Sequence, residues 1–214
     1  SSQISFGSVS ATANGRTQAF IEGAGDDFQP AGNGQGGTIN FEANDGDFTA
    51  VGPMNLGADG FGGVGLDTVG RGGTASFTQI GGVVQTADVT LSADGTGGVA
   101  ATQSGDGFGG TATMTLSGGT FTGDGISVSA SGYGGFAYSG DDFDFANPRP
   151  AGHGGDGFGG TARIEIAGDA VVDTAILGAY ASGSGAAGGD FYSYNGGLGT
   201  GGNADVGRCF ARRF

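Results

Sequence analysis

Tryptophan and lysine are missing from this chain, and cysteine and histidine occur once each. The single cysteine, Cys209, excludes an internal disulfide framework and a multi-cysteine metal site. Without lysine, a Walker-type phosphate loop has no ammonium to set against a nucleotide. Cations of any kind are scarce: seven arginines face 21 acidic residues, a net charge of −14 over 214 residues, which argues against nucleic acid or an anionic membrane surface as partner. No apolar run approaches the roughly 20 residues of a membrane helix, so the chain reads as soluble, without direct membrane insertion. It opens Ser1-Ser2-Gln3, as a processed form or a segment of something longer would.

What is abundant is glycine, 53 residues of it. Inside a regular element glycine costs roughly 0.5–1 kcal/mol relative to alanine, so such a content needs turns or close backbone approach to justify it. The glycines recur in a pattern. Gly-Gly-Thr starts at Gly36, Gly72, Gly109 and Gly159, with Gly-Gly-Asn at Gly201. An alternating run follows each start: TINFEA from Thr38, TASFTQ from Thr74, TATMTL from Thr111 and TARIEI from Thr161. Period two predicts strands, with Ile39 and Phe41, Ala75 and Phe77, Ala112 and Met114, and Ala162 and Ile164 on one face. A second apolar run predicts a second strand: Met54 and Leu56, Val89 and Leu91, Ile126 and Val128, and 175–179. Glycine turns close it, as at Gly60-Phe61-Gly62-Gly63 and Gly132-Tyr133-Gly134-Gly135.

The expected units are 36–71, 72–108, 109–158 with a long insertion, and 159–200, preceded by the back half of a unit at 1–35 and followed by a truncated unit and atypical tail at 201–214. Length variation is confined to the segments after Gly63, Gly98, Gly135 and Gly185, which predicts loops on one edge. Two strands cannot bury their own apolar face, but stacked units can. The expected fold is therefore all-β, a repeat β-solenoid with glycine-rich corners.

The string GDGFGGTA, at Gly105 to Ala112 and again at Gly155 to Ala162, together with its following strand, resembles the glycine-rich passenger regions of bacterial autotransporter-type adhesins. The resemblance implies a β-helical stalk displayed outside the cell.

The candidate chemistry is sparse. Two G-x-G-x-x-G strings, from Gly105 and Gly155, precede strands rather than the helix a dinucleotide loop requires, and read as structural corners. Calcium is the metal that Asp26-Asp27 and Asp141-Asp142-Phe143-Asp144 would suit, but the calcium nonapeptide wants aspartate where Gly159 stands. The only histidine, His153, has Asn33 as its repeat counterpart, and adjacent carboxylates on an extended segment diverge, so no enzyme is expected. Thr111, Thr113 and Thr115 suit an ice-binding face, yet Asn40, Glu42, Arg163 and Glu165 interrupt the predicted rows beyond two units.

The expected role is a non-enzymatic extracellular structural and adhesive protein of the bacterial surface, a rigid stalk or filament, with no cofactor required. The candidate contact loop comprises Tyr138, Asp141, Asp142, Phe143, Asp144 and Phe145, joined by Tyr192 and Tyr194 from the next unit. Expected partners are further copies of the chain, associating end to end, and a cell-surface glycan or protein. A carbohydrate-binding or ice-binding module is the alternative.

Overall fold

The computed structural model describes residues 3–16, 32–100, 103–137, 152–187 and 196–208. Among these there is no helix, and every strand pairing is parallel. The chain winds as a β-solenoid whose coils stack four sheets. Tyr138, Asp141 to Phe145, Tyr192, Tyr194, Asp26, Asp27 and Cys209 lie outside the described residues.

Each coil begins with the alternating strand that follows Gly-Gly. Thr38–Ala43, Thr74–Gln79, Thr111–Leu116, Thr161–Ile166 and Asn203–Arg208 form one five-stranded sheet, the threonine sheet. A tight turn follows, and it needs one left-handed residue, supplied by Asp45, Gly82, Gly119 or Gly168. The chain then crosses an eight-stranded sheet in two steps, for example Asp47–Ala50 and Met54–Gly57. In the later coils the steps merge into the ten-residue strands Thr120–Ser129 and Val171–Tyr180. The first step was not expected from the sequence, because DFTA and VVQ are too short to display a period.

The core lies between these two sheets. Ala75, Phe77, Ala112, Met114, Leu116, Ala162 and Ile164 meet Met54, Leu56, Val89, Leu91, Ile126 and Val128, all of them buried. Each of the larger side chains contributes roughly 1.5–3 kcal/mol of burial. Gln79 occupies the same row as Leu116 and is buried too; its Nε2 donates to the Thr120 carbonyl at 3.1 Å, while its Oε1 has no partner.

The glycine turns are themselves paired. Gly15–Arg16, Gly60–Phe61, Gly95–Thr96, Gly132–Tyr133 and Gly183–Ser184 form a ladder by which the chain leaves the core, here the exit ladder. Gly34–Gln35, Gly70–Arg71, Gly107–Phe108, Gly157–Phe158 and Gly199–Thr200 form the return ladder. The two pack glycine to backbone. A Cβ on Gly60 would lie 1.9 Å from the Arg71 carbonyl oxygen, and one on Gly70 would lie 1.9 Å from that of Thr96 in the next coil. These glycines therefore serve close approach; positive φ is found among the described glycines only at Gly65, Gly82, Gly119 and Gly168.

Candidate contact edge

Exit and return ladders lie against each other along the stack, so the described stems of the segments that join them lie side by side. Backbone hydrogen bonds stitch the bases of those loops together. Gly98 N–H donates to Thr68 O, Gly105 to Gly98, Gly135 to Gly105, Gly155 to Gly135, Ala186 to Gly155 and Gly197 to Ala186, at 2.7–3.1 Å. The line zigzags between the outgoing and incoming arms of successive coils, so the described stems from Thr68 to Gly197 are tied to one another.

The long insertion is narrower than its sequence boundaries suggest. Ala100 bridges Ala137 and Gln103 bridges His153, so residues on both flanks of the insertion follow the path of the preceding coil. Between Ala100 and Gln103 the sequence has two residues, against fifteen between Ala137 and His153. His153 is exposed, its backbone carbonyl accepting from Ser104 N–H at 3.0 Å. Among the described residues no group of three or more His, Cys, Asp or Glu side chains could hold a metal ion.

Below the loops the return ladder presents an ordered row missed in the sequence. Arg71, Phe108 and Phe158 are in register, with the Arg71 guanidinium 4.2 Å from the Phe108 centroid and the two rings stacked at 4.8 Å. Both faces of Phe108 are thus covered, so it offers no free face to a sugar ring. The signal was available: each of these residues stands immediately before Gly-Gly-Thr.

A polar ladder precedes the exit glycines, at Asn14, Asp59, Asp94, Ser131 and Ser182. The first four side chains each accept the backbone N–H of the counterpart one coil on: Asn14 Oδ1 from Asp59, Asp59 Oδ1 from Asp94, Asp94 Oδ1 from Ser131, and Ser131 Oγ from Ser182. Ser129 Oγ–H also donates to Asp94 Oδ1 at 2.7 Å. Burial pushes the Asp94 carboxyl above its ordinary value and the Asp59 charge adds to this, against the two hydrogen bonds, which lower it. A carboxyl raised in the folded state binds its proton more tightly there. Its contribution to stability is thus full below the ordinary carboxylate range and is lost as pH rises through the raised value.

In Asp94→Asn the amide oxygen can accept the same two bonds, as Asn14 does for Asp59, without a charge beside Asp59. We expect the variant to be more stable at pH 7 by about 0.2–1 kcal/mol, the scale of a cross-strand pair. Paired thermal melts at neutral and mildly acidic pH check this: the advantage should shrink on acidification, and an advantage independent of pH would contradict the account.

The threonine sheet corrects one expectation. Its first column is Thr38, Thr74, Thr111 and Thr161, continuous over four coils rather than two. The second and third columns are interrupted by Asn40 and Arg163 and by Glu42 and Glu165, and Arg163 pairs with Glu165 and Asp205 at 3.3 and 3.8 Å.

Comparison with known protein families, with curated proteins and with solved structures finds no match for this chain. Its class therefore rests on its own geometry, an all-β parallel solenoid with glycine-packed ladders beneath a loop-bearing edge.

Proposed function

We propose that the chain is a non-enzymatic extracellular structural and adhesive element of a bacterial surface, a rigid stalk that makes contacts through the loops of one edge and associates end to end. The observation that carries this reading is the stitched platform: loop stems held by backbone hydrogen bonds from Thr68 to Gly197, beneath insertions free to vary in length. Such an arrangement separates a rigid support from a variable contact surface. Within the loops, Tyr138, Asp141, Asp142, Phe143, Asp144 and Phe145, with Tyr192 and Tyr194, are the proposed contact residues.

Replacing residues 138–152 by Ala-Thr, the two residues that stand between Ala100 and Gln103 in the sequence, tests it. The expected variant keeps its β-type circular dichroism and melts within a few degrees of wild type, because long surface insertions contribute little to the core. Its attachment to bacterial cells or to an immobilised glycan array should fall at least tenfold. Unchanged attachment would move the contact surface elsewhere, and an unfolded variant would make the insertion part of the core. The four-coil threonine column favours the alternative of an ice-binding face, but the charges of Arg163, Glu165 and Glu42 break the two columns beside it.

A further inference from the structure

The core rows are sealed inside the stack and open at both of its faces. One row runs Val9, Met54, Val89, Ile126, Leu177. Its inner members are buried, whereas Leu177 is 39% exposed and Val9 is half-buried. A second runs Phe41, Phe77, Met114, Ile164, Val206. Again the inner members are buried, while Val206 is 49% exposed and Phe41 half-buried. A third runs Ile4, Phe48, Val84, Phe121, Val172, with Ile4 52% exposed. On the last-coil face Val172, Leu177 and Val206, with Ile166, Thr174 and Gly207, line an open apolar groove of about 220 Å³.

We infer that this groove takes the first-coil face of a second copy, in the register the coils already use. Strand 3–6 then lies on 171–174, 9–12 on 177–180, and 38–43 on 203–208. The argument is continuity with the coil-to-coil interface inside the chain. Ile4 follows Val172, Val9 follows Leu177 and Phe41 follows Val206, so all three open rows are extended by apolar side chains at once. The ladders continue as well: Gly15 falls on Gly183 and Gly34 on Gly199, so the seam meets no side chain. The Ser182 hydroxyl meets the Asn14 N–H as Ser131 meets that of Ser182. An unrelated partner would have to reproduce all of these features together. The contact is heterologous, one face against a different one, so it generates open chains rather than closed dimers.

This inference rests on the end-to-end part of the proposed function and is tested apart from adhesion. Two full-length variants are needed, each altered at partly exposed positions: Val9→Arg with Phe41→Glu blocks the first-coil face, and Leu177→Arg with Val206→Glu blocks the other. Circular dichroism verifies that both are folded. By sedimentation velocity the wild type should grow with concentration, and each variant alone should remain monomeric. Their equimolar mixture should form heterodimers and nothing larger, since one intact face of each kind remains. A monomeric wild type, a variant that still self-associates, or a mixture that stays monomeric overturns the inference. Loss of self-association in the mixture with adhesion intact would leave the contact-edge reading standing.

Discussion

Gly95→Ala should cost more than about 4 kcal/mol and in practice prevent folding. An added Cβ would lie 2.0 Å from the Phe108 carbonyl oxygen and 2.7 Å from that of Gly70. Those oxygens belong to the return arms of two successive coils, and both are backbone, so no rotamer change relieves the clash. Displacing Gly95 alone would instead strain its own N–H bond to Ser131 O at 2.9 Å within the exit ladder. Gly7 is the control, since nothing stands within 4 Å of its Cβ position. Gly7→Ala should stay within about 0.5 kcal/mol of wild type. Urea titrations followed by circular dichroism compare the two, and a Gly95→Ala protein with a wild-type midpoint would show that the ladders are not packed as described.

This contrast explains what the sequence revealed and what it concealed. Side-chain alternation made the threonine sheet legible, since TASFTQ and TATMTL put Phe77 and Met114 inward by period two alone. Apolar doublets such as Val89 and Leu91 marked the facing strands. The exit and return ladders escaped because a Gly-X pair has no periodicity; its information lies in how closely backbone approaches backbone. The polar ladder escaped for another reason. Asn14, Asp59, Asp94 and Ser131 are three residue types that share one task, accepting the N–H of the next coil. Only register reveals the task. Of the proposed contact edge, the positions of variable length were legible from the sequence alone, while the stitched stems and the Arg71, Phe108 and Phe158 row needed the stacking of coils.

Phe77→Ala should remove about 3–5 kcal/mol, the range for emptying a buried aromatic site. Phe77 is fully buried, stacked on Phe41 at 5.2 Å and set edge-on to Phe121 at 6.3 Å, so it ties its own coil to the one before and the one after. In a stack where each coil touches only its neighbours, stability is close to a sum of coil terms and interface terms. A cavity in the middle then weakens two interfaces at once, and the urea transition should broaden or divide as the two halves unfold separately. Phe41→Ala, at a half-buried site, should cost less and leave the transition single. A Phe77→Ala loss below about 1 kcal/mol would mean that the coils repack around the void. For the proposed stalk a divided transition has a mechanical meaning: the stack would yield at its weakest interface, and the loop stems beyond that point would lose their support while those before it keep theirs.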